Sequence, residues 1–157
     1  MLHCRIPPKA SLVLSLLILL GVGYIFEEQA DASSDNCTLK SVKGEFGATF
    51  TGAITAGPFA GPYAAVARIV CDGKGACHGE GTQSLNGLIV PLVDLGATYT
   101  VNPDCTGTTT SEISPIGLTT HGFFVIADNG NEIHMVVTSP NTVINCFFRK
   151  LYPGRVI

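Results

Sequence analysis

From Lys40 onward the apolar residues never settle into a sustained 3.6-residue period. They come in short runs rich in Val, Ile, Thr and Phe, broken by turn residues every 8–12 positions or so, the spacing of antiparallel strands in a sandwich or barrel. Read as strands, these runs are 43–55, 64–71, 76–84, 87–94, 96–102, 105–113, 119–128, 131–139 and 142–150. Asp128-Asn129-Gly130-Asn131 is the clearest turn between them, because Asn-Gly tolerates the positive φ angles that a two-residue hairpin demands. Asp72-Gly73-Lys74-Gly75 and Asn102-Pro103-Asp104 are further turn sequences. Tandem hairpins give an up-and-down sheet, and closing that sheet removes its exposed edges. The pattern predicts an all-β protein: a single antiparallel up-and-down β-barrel of about eight strands over 43–152, with an N-terminal segment at 33–42 and a tail at 153–157.

The last three strands predict which side is dry. A two-residue turn at Asn129-Gly130 sets Ile126 opposite Ile133 and Phe124 opposite Met135. A second such turn at Pro140-Asn141 sets Phe148 beside Ile133, Cys146 beside Met135 and Ile144 beside Val137. Side chains alternate with period two, so all of these share one face. The opposite face carries His121, Phe123 and Val125, then Glu132, His134 and Val136, then Asn145, Phe147 and Arg149, with Glu132 opposite Arg149. The wholly apolar face belongs inside. Phe124, Ile126, Ile133, Met135, Val137 and Phe148 are therefore the candidate lining of a lumen suited to a small apolar molecule and not to a sugar or nucleotide. The alternative is that these side chains fill the interior completely, as they can in small eight-stranded barrels.

Residues 1–32 read as a signal-peptide helix. Arg5 and Lys9 supply the positive start, an apolar run extends from Leu12 to Phe26, and Ala30-Asp31-Ala32 is a small-residue cleavage pattern. The rival reading is a retained signal anchor, but the apolar run is short of the ~20 residues a spanning helix needs. Membrane contact is expected only through this segment, and the protein is expected to be secreted or to reside in the periplasm or cell envelope. Asn36-Cys37-Thr38 matches the N-x-T acceptor pattern, as a short linker can by chance.

Export changes how the cysteines are read, since thiols in an oxidising compartment pair. Of six cysteines, Cys4 lies in the leader. Cys71 and Cys77 are directly opposed if Asp72 pairs with Ala76, whereas a four-residue turn would slip the register by one and separate them. Cys37 can pin the N-terminal segment to Cys105 at a turn, which leaves Cys146 facing inward as a small buried hydrophobe. Cys71-x5-Cys77-His78 lacks the usual spacing of metal ligands, so no metal is expected.

Charge narrows the chemistry further. Nine Lys plus Arg against twelve Asp plus Glu leave no basic face, so no nucleic-acid partner is expected. No nucleophile elbow, zinc-binding His pair, P-loop or dinucleotide fingerprint occurs, and no cofactor is implied. His121, His134 and Glu132 share a face and could form an acid/base or metal cluster, or equally an outward ion pair beside solvated imidazoles. Glu80, Asp94 and Glu112 are each a possible lone general acid or base if turned into the lumen.

Three stretches carry a resemblance: Val70-Cys71-Asp72-Gly73-Lys74-Gly75, the run from Gly96 to Thr108 that includes Tyr99, Asn102, Asp104 and Cys105, and Asn131-Glu132-Ile133-His134. In this order they resemble small secreted bacterial proteins similar to the allene oxide cyclase-like barrels, over roughly residues 37–150. The resemblance implies an eight-stranded calycin-type barrel. It also implies either a cyclase that folds a flexible polyene inside an apolar lumen or a member without known activity. Cys71 stands where those proteins carry an aromatic residue, and Cys77 and Cys146 also depart from them, which favours an additional hairpin disulfide. No cyclase active-site residue maps onto a position here. Three readings follow: a carrier of a small apolar ligand, a cyclase or isomerase confining a flexible substrate, and a structural envelope protein with a filled interior and an exposed apolar patch.

Overall fold

The computed structural model describes residues 36–113 and 118–152; the leader expected at 1–32 and the tail at 153–157 lie outside them. The described chain forms eight strands: β1 (Gly44–Ile54), β2 (Gly61–Cys71), β3 (Ala76–Leu85), β4 (Leu88–Val101), β5 (Thr106–Ile113), β6 (Leu118–Ala127), β7 (Glu132–Val137) and β8 (Thr142–Lys150). Each pairs antiparallel with the next, and β8 returns to pair with β1, so the sheet closes into a barrel without an edge.

The segments expected at 87–94 and 96–102 are one strand. In β4, Asp94 adopts a φ of 53°, and the register against β3 shifts there, from Gly79 opposite Leu95 to Gly81 opposite Leu92. Two β4 residues thus stand against one of β3, a β-bulge. The bulge inverts the parity of the strand: Leu92 is buried before it and Tyr99 after it. Alternation breaks midway, which is why one strand reads as two. β2 also starts earlier than expected, at Gly61, since Pro62 needs only its carbonyl there and accepts a hydrogen bond from the Asn86 N–H at 2.8 Å.

The β6–β8 meander has the expected register. Phe124 faces Met135, Ile126 faces Ile133, Ile133 faces Phe148 and Met135 faces Cys146. The first of its turns is set by Asn129 and Gly130, both at positive φ (52° and 82°), with the Asn131 N–H donating to the Asp128 carbonyl at 3.0 Å. Asp128 is also at positive φ (47°) and strand pairing stops at Ala127 and Glu132, so the connection is a four-residue one that keeps the register expected of a two-residue turn. On the inner wall, small residues let neighbouring strands approach. A Cβ on Gly107 would lie 2.2 Å from the Thr100 carbonyl oxygen and 2.3 Å from the Phe124 ring.

The end of the barrel where β1 begins is sealed. A 3-10 turn at Leu39–Val42 lies across it, with its own Val42 buried together with Phe46 of β1. The Tyr99 hydroxyl donates to the Leu39 carbonyl at 3.2 Å, the Cys37 N–H donates to the Pro103 carbonyl at 3.2 Å, and the Cys37–Cys105 disulfide ties the segment down. A second disulfide, Cys71–Cys77, closes the β2–β3 hairpin, where the Asp72 N–H donates to the Ala76 carbonyl as the aligned register requires. The Asp72 carboxylate accepts the Lys74 and Ala76 N–H groups, and these bonds hold its pKa below the usual carboxylate value.

The two disulfides close loops of very different length, with sequence separations of 68 and 6. Chain-entropy arithmetic gives about 4 kcal/mol for the longer loop and about 2 kcal/mol for the shorter. The paired substitution Cys37→Ala/Cys105→Ala should therefore lower the urea-unfolding free energy by about twice as much as Cys71→Ala/Cys77→Ala. Equal losses would show that the N-terminal segment is not held to the barrel by its cross-link.

Candidate ligand-binding lumen

The interior is not completely filled. A cavity of about 120 Å³ remains, bounded by rings from β1, β6 and β8 (Phe46, Phe50, Phe124 and Phe148) and by aliphatic side chains from the other strands. Phe50 and Phe148 meet edge to face at 5.7 Å between centroids, a favourable arrangement of two rigid rings. At the sealed end Val42, Phe46, Ile69, Cys71 and Tyr99 are buried, with Cys77 and Ala97 half-buried beside them. At the opposite end, where β1 finishes, Ile54, Phe59, Ile113, Val137 and Thr142 are half-buried beside the buried Tyr63, Leu85 and Ile144.

Phe124, Ile126 and Ile133 are buried and Met135, Val137 and Phe148 half-buried; all but Ile126 border the cavity. Ile126 packs into the core around Phe46 at the sealed end. Phe123, Val125 and Val136 lie on the outer surface, as their parity requires.

The polar candidates are placed outside. Glu80, Asp94 and Glu112 are all exposed, Asp94 because it sits at the bulge and the other two because they are on the outward parity of β3 and β5. Glu132 lies 3.9 Å from both Arg149 and His134, on the outer wall; exposed pairs of this kind contribute little. His121 is also outside, with its Nδ1 3.2 Å from the Thr110 hydroxyl. Among the described residues no group of three or more His, Cys, Asp and Glu is arranged to hold a metal ion.

Sequence reading missed the polar groups that are inside. Gln83 on β3 is 1% exposed and lines the cavity. Its signal was available: Cys77 must face Cys71, and period two then carries Gly79, Gly81, Gln83 and Leu85 to the same side. Tyr63 on β2 was missed as well, whereas Cys146 on β8 is buried on the inward side expected for it. Burial pushes the Cys146 thiol up to about 12, and burial followed by the nearby Cys146 pushes the Tyr63 hydroxyl up to about 12. Both are neutral at physiological pH, as befits an apolar interior.

No protein-family model and no curated protein sequence matches this chain. The lumen has a largely apolar wall, one buried amide (Gln83), two phenols (Tyr63 and Tyr99), the hydroxyls of Thr109, Ser111, Thr120 and Thr142, and no charged side chain among the described lining residues.

The raised pKa values set a pH dependence. In the unfolded chain the thiol loses its proton near its ordinary value of 9.0, whereas in the barrel it holds it to about 12. The folded state therefore binds more protons between those values, and stability falls as the pH rises through that window. Urea midpoints measured at intervals from about pH 8 to about pH 11 should decline, and decline less steeply in Cys146→Ala. Identical slopes in the two proteins would show that the thiol is not sequestered.

Proposed function

We propose that this protein is an exported β-barrel that takes a small apolar molecule into its lumen. The observation that carries the reading is the cavity of about 120 Å³ enclosed by aromatic and aliphatic side chains and free of charge among the described residues. Apolar cavities of ~150 Å³ stay dry and accept molecules such as benzene, because water gains nothing by entering them. Two disulfides suit an oxidising compartment, and the leader-like sequence at 1–32 supplies a route to one. The resemblance to the allene oxide cyclase-like barrels agrees with an apolar lumen. The cyclase alternative needs a general acid or base within that lumen, and Glu80, Asp94 and Glu112 face away from it.

A structural envelope role has one observation in its favour: Phe123 and Val136 face each other on the outer wall beside Val125, each more than two-fifths exposed. Such a patch suits a protein partner. The two readings separate cleanly, since Phe123→Ser alters the outer patch and leaves the lumen unchanged.

A fluorescent apolar probe titrated into the purified protein should be taken up, and Val137→Phe, which fills the half-buried end of the lumen, should weaken that uptake at least tenfold or so without lowering the thermal midpoint by more than a few degrees. Native mass spectrometry should also show a co-purifying organic compound. Absence of both uptake and a bound compound would end the carrier reading.

A further inference from the structure

Gln83 is the one side chain in the described lumen whose side-chain nitrogen and oxygen are both buried without a hydrogen-bond partner among the described residues. Its cross-strand neighbours are Ala65 on β2 and Val90 on β4, neither of which can bond to it through a side chain. The Thr109, Tyr99 and Thr142 hydroxyls, which also line the cavity, donate to the Thr98, Leu39 and Ser139 carbonyls, and none of them bonds to Gln83. A buried amide normally finds partners, because leaving donors and acceptors unmet in an apolar surrounding is costly. A leucine or methionine would satisfy packing at this position without that cost, so the amide needs another reason to be there.

We infer that Gln83 is the recognition group of the lumen, selecting small, mostly hydrocarbon ligands that carry an uncharged carbonyl-type head such as a carboxamide. The inference rests on the lumen-binding reading above and specifies its ligand class. The amide offers two N–H donors through Nε2 and an acceptor through Oε1, and a ligand carboxamide can meet both with a pair of hydrogen bonds. The amide does not titrate, so its bonding capacity is the same across the physiological pH range. A carboxylate or ammonium head is disfavoured, because it would be desolvated with no opposite charge among the described lining residues. A hydrocarbon lacking the head leaves Gln83 unmet. Sites built to bond a polar group discriminate strongly against analogues that lack it.

The test compares benzamide, ethylbenzene and benzoate as probes, by calorimetry or ligand-observed magnetic resonance, in the full chain and in Gln83→Met and Gln83→Leu. The benzamide-to-ethylbenzene affinity ratio should drop about tenfold in both variants, the worth of one buried hydrogen bond. Benzoate should bind most weakly throughout. Both variants should also melt no lower than the parent, because they remove an unmet buried amide. An unchanged ratio with all proteins still binding ethylbenzene would overturn the role of Gln83 while leaving lumen binding intact. Failure of every probe to bind would remove the lumen-binding reading and this inference with it. A lower melting temperature in both variants would show that the amide is satisfied within the chain and would overturn the inference by itself.

Discussion

Closure of the sheet is the constraint on which everything else depends. With period-two alternation, a strand has one face in and one face out, and a slip of a single residue exchanges them. In an open sheet the last strand can slide or fray. Here β8 pairs with β1, setting Ala48 opposite Phe148 and Phe50 opposite Cys146, so every strand is held from both sides. The result is an interior that is apolar nearly all round, while charged residues such as Arg68, Glu80 and Arg149 are exposed on the outside. That is the reverse of a membrane-spanning barrel, whose lipid-facing side is the apolar one.

The two ends of the lumen are treated differently by the chain. The end beneath the 3-10 turn is occupied by Val42 and Phe46, cross-linked through Cys37 and Cys105, and bonded through the Tyr99 hydroxyl. A chain of this size can bury a core without covalent help, so the cross-link serves chiefly to hold a short, weakly self-sufficient segment over the barrel. At the other end no equivalent plug exists among the described residues, and several lining side chains, Ile54 and Val137 among them, are half-buried. With one end capped by the 3-10 turn the barrel is a cup, and the rings of Phe50, Phe124 and Phe148 border its residual space.

Within that cup, polarity is sparse and specific. Tyr63 and Cys146 remain protonated and pass for apolar groups at neutral pH, so they cost little. Gln83 has no such escape: an amide cannot shed its polarity by gaining or losing a proton. The interior therefore combines a broad hydrophobic attraction, which is indifferent to ligand detail, with a buried amide that has no hydrogen-bond partner among the described residues, which is not.

Much of this was legible from local sequence, and the limits have physical causes. Asn129-Gly130 determines its hairpin because few residue pairs accept two successive positive φ angles, and from that one turn the pairing of Phe124 with Met135 and of Ile126 with Ile133 follows by counting. The same counting from Asp72 and Ala76 aligns Cys71 with Cys77. Counting fails at Asp94, where a bulge adds a residue and reverses the parity of β4; nothing about an isolated Asp announces that its backbone will turn left-handed inside a strand. It also fails to show what lies across the lumen, since Phe50 and Phe148 are nearly a hundred residues apart in the chain and meet only because β1 and β8 close the sheet. By itself, then, the amino-acid order determined most of the strands, the position of the Asn129-Gly130 turn and the dry face of the last three strands, all of which are short-range consequences of backbone stereochemistry and alternation. Whether the enclosed space would be full or hollow, and that a lone glutamine would face it, was decided by how eight separate faces fit around one axis, a sum of volumes that no local pattern contains.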